Sequence, residues 1–227
     1  MKKSGVLLLA LLVSTVLSAQ FYGRVGYCAN YYNMKNYNAM VDRYNETRPW
    51  LNEKMDYLQL MHGLDIGFGG MGGFNGFELY FRTSHGTVTA AGSPNGGPIQ
   101  TRYLKARDSY FGFEMHRRLM GPVALSLAGE ISKFSTFTKV DDAEFTRTDK
   151  KMSFGLTPGI KVIMGRGTVK PMLSFYYAFP FIRESHYNAW ATLDQNNYTS
   201  EPAENFRARA AHFGVSLSLA FGNIAYD

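Results

Sequence analysis

Apolar and polar residues alternate along several stretches of the chain. In the last stretch, 211–221, large or apolar residues occupy every second position, and His212, Gly214, Ser216, Ser218 and Ala220 lie between them. A period of two predicts a β-strand with one apolar face and one small or polar face. Its length is also about what a tilted strand needs to cross a bilayer.

Seven further stretches show the same alternation, so the sequence predicts eight strands: 21–29, 58–69, 77–84, 101–115, 123–132, 153–162, 173–181 and 211–221. Long connections follow the first, third, fifth and seventh strands, and short ones follow the others. This order is typical of barrels with short periplasmic turns and long extracellular loops. We therefore expect an all-β, eight-stranded antiparallel transmembrane β-barrel. Ten strands are the alternative if 187–206 contains a hairpin, and a secreted lipocalin-like barrel or sandwich is the other.

Two long connections, 30–56 and 182–207, are the expected extracellular binding loops. The first includes a predicted short helix over 38–45, and a charged loop is expected over 135–150. Both binding loops are rich in Tyr and Trp, which commonly anchor protein contacts. The candidate contact residues are Tyr31, Tyr32, Tyr37, Tyr44, Trp50, Tyr187, Trp190 and Tyr198.

The face opposite the apolar one carries nine charged or titratable residues: Arg24, Asp65, Glu78, Arg82, Asp108, Glu114, Glu130, Lys161 and His212. Together with Gly, Ser and Ala they suit a narrow lumen in which charges pair, so we expect a structural network and not a conducting pore. Arg24 with Asp65 and Arg82 with Asp108 are the expected pairs. Lys105 and Arg107 then face outward, so they lie above the hydrocarbon or the register shifts there.

The N-terminus has the layout of a secretory signal peptide over 1–19, with Lys2 and Lys3 before a short apolar run. We expect it to be removed, which leaves a single domain over 20–227 and lowers the formal charge from +6 by two, to +4. The basic residues form no stripe, so nucleic acid is not an expected partner. The one cysteine excludes an internal disulfide.

The sequence contains no motif for a cofactor or a metal, and we predict that the protein is not an enzyme. Ser84–His85 and Ser185–His186 are neighbours in sequence, so in a strand their side chains point to opposite faces. A nucleophilic Ser–His pair needs the two side chains in hydrogen-bond reach.

The final strand resembles the C-terminal sorting signal of bacterial outer-membrane barrels, because Gly214 is followed by Leu217, Leu219 and Phe221. The chain departs from that signal in continuing to Asp227. With the signal peptide and the eight strands, the sequence resembles the small outer-membrane β-barrels of Gram-negative bacteria, similar to outer-membrane proteins A and X.

This resemblance implies a location in the outer membrane among lipid and lipopolysaccharide, and assembly by the barrel-insertion machinery with periplasmic chaperones. The expected function is a structural or binding role through the two loops, toward an unknown extracellular or envelope protein. The alternatives are an accessory subunit of an envelope secretion or uptake complex, or a lipid-modifying enzyme. A fold with such range does not fix the function.

Overall fold

The computed structural model describes residues 20–165, 167–193 and 202–222, so the expected signal peptide lies outside the described residues. Eight long antiparallel strands form one closed ring. They are β1 (Gln20–Tyr32), β3 (Leu60–Gly72), β4 (Asn75–Gly92), β5 (Gln100–Met120), β6 (Val123–Val140), β7 (Thr146–Ile163), β8 (Val169–Pro180) and β11 (His212–Gly222). This confirms the eight-stranded barrel, with β1 paired to β11 and β4 paired to β5.

The smaller elements lie in the long connections. They are α1 (Lys35–Glu46), β2 (Leu51–Glu53), β9 (Glu184–Ser185), α2 (Tyr187–Leu193) and β10 (Arg207–Ala208), with 3-10 turns at Pro94–Gly96 and Ala203–Phe206. The predicted short helix is therefore confirmed as the longer α1. In place of a ninth and tenth barrel strand, the described part of the last connection forms α2 and a two-residue pairing of β9 with β10.

Tight turns close the end of the barrel at which β1 begins and β11 ends. Gly73 lies between β3 and β4 and has a φ of 58°, and Gly121 lies between β5 and β6 and has a φ of 54°. These are left-handed conformations that glycine adopts without steric cost. Glycine at these two positions therefore accounts for the tight turns. The long connections all lie at the opposite end, which is the outer side in this class of barrel.

One half of the wall is taller than the other. β5 has 21 residues and β4, β6 and β7 have 18 each, against 11 to 13 for the other four strands. A transmembrane strand needs only about 9–11 residues, so these four continue beyond the membrane. The expected charged loop over 135–150 is accordingly wrong, because β6 and β7 extend through most of it and leave only 141–145 as the turn.

The outer wall of the lower barrel is apolar. Large side chains such as Phe68, Phe111, Leu127 and Phe154 are about half exposed there and face away from the interior. A continuous band of this size on a water-soluble monomer is rare, whereas lipid tails solvate it. The outward apolar face thus covers the height of the ring that all eight strands share.

Candidate functional site: the lumen network and the cap

Glu78 on β4 is the centre of the charge network in the lower lumen. Its carboxylate accepts hydrogen bonds from Arg24 Nε at 2.8 Å, from Lys161 Nζ at 3.0 Å and from the Tyr22 hydroxyl at 2.8 Å. These partners come from β1 and β7, so the network ties strands across the interior. Gly67 on β3 makes room for it, because a Cβ there would lie 2.7 Å from Glu78 Oε1 and 2.9 Å from Arg24 Nε.

Three further carboxylates share the cations of the network. Asp65 lies 2.8 Å from Arg24 NH1 and 3.4 Å from Arg82 NH2, and Glu114 lies 2.5 Å from Lys161 Nζ. Glu130 lies 3.8 Å from Arg82 NH1, and its other contacts are hydrogen bonds from the Tyr80 and Thr157 hydroxyls. Every charge of this group is therefore matched by a direct partner, as a buried charge requires.

Of the two expected pairs, the structure contains Arg24–Asp65 but not Arg82–Asp108. In the ladder between β4 and β5, Arg82 lies opposite Tyr110, and Asp108 lies opposite Ser84. The two-residue offset carries Asp108 toward the outer end of the barrel. Arg82 instead pairs with Asp65, which lies opposite it in the ladder between β3 and β4, and it stacks on the Tyr176 ring, with its guanidinium carbon 3.7 Å from the centroid.

Asp108 belongs to a separate aromatic cluster at the top of the lumen. It accepts hydrogen bonds from the hydroxyls of Tyr32, at 3.0 Å, and Tyr110. The His212 ring stacks on Tyr32 at 4.5 Å between centroids, and its Nδ1 lies 3.3 Å from the Tyr110 hydroxyl. The structure thus places all nine expected lumen residues in the interior, with exposed fractions of 6% or less. Tyrosine hydroxyls supply contacts that a search for charged residues misses.

A folded cap lies directly on this cluster. We define the cap as α1, α2 and the β9–β10 pair. The helix α1 turns Tyr37, Met40, Val41 and Tyr44 inward at the spacing of a helix with one apolar face. They pack with Trp190 and Phe206 against the inner faces of the extended strands, where Leu104, Ala106 and Phe134 lie. The outer mouth of the barrel is therefore covered by an apolar core.

The cap changes the interpretation of the candidate contact residues. Tyr32, Tyr37, Tyr44 and Trp190 are at most 4% exposed, so in this structure they pack in the core of the cap and offer little surface to an external protein. Their expected role as contacts is corrected for that reason, since Tyr and Trp also serve as core residues. Tyr31 and Tyr187 are exposed at 49% and 43%, Trp50 is partly exposed, and Tyr198 lies outside the described residues.

Two buried ionisable groups lie inside the cap. Within the described residues, neither carboxylate oxygen of Glu184 and neither ring nitrogen of His186 has a hydrogen-bond partner. Burial, reinforced by the charge of Asp108, raises the pKa of Glu184 to about 8. Burial, reinforced by Lys151, lowers the pKa of His186 to about 4. Both groups are thus uncharged near neutral pH, as the apolar surroundings require.

The described residues contain no group of three or more His, Cys, Asp or Glu side chains arranged to hold a metal ion. No helix in the described ranges is long and apolar enough to cross a membrane.

No protein-family model matches the sequence, and no curated protein matches it. Solved structures give distant likenesses. For Ail, the attachment invasion locus protein of Yersinia pestis, solved in complex with the heparin analogue sucrose octasulfate, the identity is 10% and the TM-score 0.45, over 90% of this chain and 98% of Ail.

For OprG of Pseudomonas aeruginosa the identity is 8% and the TM-score 0.45, over 92% of this chain and 97% of OprG. For the outer membrane protease OmpT of Escherichia coli they are 10% and 0.43, over 90% of this chain and 97% of OmpT. Likenesses at this level carry no argument about what the chain does. Its class rests on its own structure: a closed ring with an apolar outer wall and a charged interior is an outer-membrane β-barrel.

Proposed function

We propose that this outer-membrane β-barrel is a non-enzymatic, non-conducting protein that acts through its extracellular surface, in a structural or binding role. The observation that supports it is the double obstruction of the interior. The lower lumen is crossed by the Glu78 network, and the outer mouth is covered by the cap. Because side chains occupy the described ring at both levels, we expect no open route for solute, and the functional surface is then the outside of the cap and of the connections 30–56 and 182–207.

The candidate Ser–His neighbours support the non-enzymatic part of the proposal. Ser84 is buried in the lumen, where its hydroxyl accepts a hydrogen bond from Asn30 at 3.0 Å, while His85 faces the outer wall. His186, next to Ser185, is buried against the rings of Tyr37 and Phe134. A nucleophile with its base in hydrogen-bond reach is thus not formed by either neighbouring pair.

The first test is conduction. The purified mature protein is inserted into planar bilayers and into liposomes for swelling assays, with a general diffusion porin as the positive control. We expect no stable conductance and no swelling with small sugars. Steady channels from the wild-type protein would contradict the non-conducting part of the proposal.

The second test asks whether the surface serves a lasting partner. The native protein is extracted in mild detergent and its companions are quantified. A lone barrel leaves the extracellular surface as a binding face for external ligands. A companion present at constant, near-equal amounts makes the protein an accessory subunit of an envelope complex. Lipid A that changes on deletion of the protein would instead point to a lipid-modifying enzyme and overturn the proposal.

A further inference from the structure

An open cleft lies on the outside of the cap, where α1 ends and the top of β5 meets α2. Its volume is about 260 Å³, and its lining includes Tyr44, Arg48, Trp50, Gln100, Arg102 and Thr192. The cleft is separate from the lumen network, and it borders the apolar core beneath it at Tyr44. It therefore faces the external solution.

The two arginines are held in place by the end of α2. Arg48 NH2 donates to the Leu193 carbonyl at 2.7 Å, and Arg102 NH2 donates to the neighbouring Thr192 carbonyl at 2.6 Å. The Arg48 guanidinium also lies over the Tyr44 ring, 4.1 Å from its centroid. Because consecutive carbonyls hold them, the two cations converge on one place and lose little further freedom when a ligand binds.

Neither guanidinium is neutralised within the described residues. The lumen arginines, Arg24 and Arg82, each form ion pairs with carboxylates, whereas neither Arg48 nor Arg102 pairs with one. Arg102 Nε is buried without a hydrogen-bond partner. Burial, together with the charge of Arg48, lowers the pKa of Arg102. Two like charges held together at a partly buried position favour the binding of an anion.

The walls of the cleft indicate what carries that anion. Trp50 offers a partly exposed aromatic ring, and Gln100 offers an exposed amide. Guanidinium groups recognise carboxylate and phosphate through paired hydrogen bonds. An aromatic face beside polar groups suits a ring with one apolar side and several hydroxyls. The volume is below the usual range of about 300–1,000 Å³ for drug-sized ligands, so the cleft holds about one ring.

We propose that this cleft, the Arg48–Arg102 cleft, binds a single anionic sugar unit that carries a carboxylate or a phosphate. Arg48 and Arg102 bind the acidic group, Trp50 packs on the ring and Gln100 hydrogen-bonds its hydroxyls. The inference rests on the proposed binding role of the cap. Such a sugar has two sources, the lipopolysaccharide of the same membrane and glycans outside the cell.

The test is a calorimetric titration of the mature protein in phosphatidylcholine nanodiscs, which contain no lipopolysaccharide. The probes are D-glucuronate, glucose 6-phosphate and neutral glucose. We expect saturable binding of both acidic probes, weakened by salt, and at least about tenfold weaker binding of glucose. Equal binding of all three probes, or of none, overturns the proposal.

The variant that tests the site is Gln100→Glu, which adds a carboxylate to the cleft without touching either arginine–carbonyl bond. Like-charge repulsion then weakens both acidic probes at least about tenfold. Asn33→Asp is the matched control, because it makes the same charge change at an exposed position between β1 and α1, outside the cleft, and it should leave affinity within about twofold. Unchanged affinity in Gln100→Glu contradicts the site.

Two further titrations test the effect of a neighbouring carboxylate and the source of the sugar. Asp194 follows Leu193 in the sequence, so Asp194→Asn is titrated as well, and we expect its affinity to equal or exceed that of the wild type. Nanodiscs with added lipopolysaccharide distinguish the sources, since loss of probe binding there identifies the membrane's own sugar. Neither titration depends on conductance. A conducting barrel would contradict the proposed function but not the proposal of a sugar site in the cleft. Absence of binding in the cleft would contradict the sugar site but not the non-conducting barrel.

Discussion

The barrel and the region above it have opposite interiors, although the same strands build both. In the lower part of β5, Phe111 and Phe113 face outward while Tyr110 and Glu114 face the lumen. Above Asp108 the two faces exchange character. Lys105 and Arg107 now face outward, and Leu104 and Ala106 are buried inside.

The exchange follows from the solvent outside the wall. Lipid surrounds the lower barrel, so apolar side chains are stable on the outside, and polar ones collect within where they satisfy one another. Water surrounds the upper wall, so apolar side chains lie on its inner face and pack beneath α1 and α2. One part is held by ion pairs and hydrogen bonds, and the other by apolar burial.

The largest expected effect comes from breaking the polar interior. Glu78→Ala leaves Arg24 and Lys161 buried without their shared carboxylate, and removing one partner of a buried pair costs about 3–5 kcal/mol. The measurement is the urea dependence of folded and unfolded gel mobility in lipid vesicles. The control is Glu46→Ala on the exposed side of α1, which should change the free energy of unfolding by no more than about 0.5 kcal/mol. An equal effect of the two substitutions would show that the network contributes no stability.

A second substitution tests where the exchange occurs on the outer wall. Phe113→Lys places a charge on the lipid-facing band and should cost about 2–4 kcal/mol in the same assay. Lys105→Phe, eight residues earlier on the same face, lies above the band and should cost no more than about 0.5 kcal/mol. A cost near zero for Phe113→Lys, or a clear gain in stability from Lys105→Phe, would place both positions in the same solvent and refute the boundary.

The smallest effect concerns Glu184, a buried acid inside the cap. Because the pKa of Glu184 is raised to about 8 in the folded cap, the folded state holds its proton more tightly than the unfolded state does. Its contribution to stability is full below the ordinary carboxyl pKa and is lost as pH rises through about 8. Between pH 6.5 and 8 the cap should weaken by about 2 kcal/mol.

Amide hydrogen exchange of α1 and α2, corrected for intrinsic rates, measures this change. His186 titrates at lower pH, near 4, so it does not interfere in this window. Glu184→Gln should reduce the pH dependence. Protection that is the same at pH 6.5 and 8 in the wild-type protein would contradict the prediction.

The period-two pattern predicted the barrel because every strand meets lipid on one side and lumen on the other. It also predicted the Arg24–Asp65 pair, which forms diagonally, since Arg24 lies opposite Gly67 and Asp65 lies opposite Gly26 in the ladder. The same pattern misread 135–150 as a loop, because both faces of the extended strands there carry polar residues, such as Thr136 and Asp149 inside and Lys150 outside. The cap was missed because its core joins 30–56 to 182–207, and no local pattern reports a contact between such distant segments. Arg82 pairs with Asp65 and not with Asp108, because the register of the strands, and not composition, decides which charges meet.

The position of the cap relative to the ring has a consequence for the order of assembly. The helix α1 follows β1 and α2 precedes β11, and these two strands are the first and last of the barrel, paired from Tyr22–Gly222 to Tyr32–His212. Tyr37 of α1 touches His186 across that seam, with ring centroids 5.3 Å apart. The pairing of the first and last strands brings the two halves of the cap together, so we expect the cap to fold as the ring closes or after it. A folded cap on the outer side of the membrane therefore indicates that the ring below it is closed.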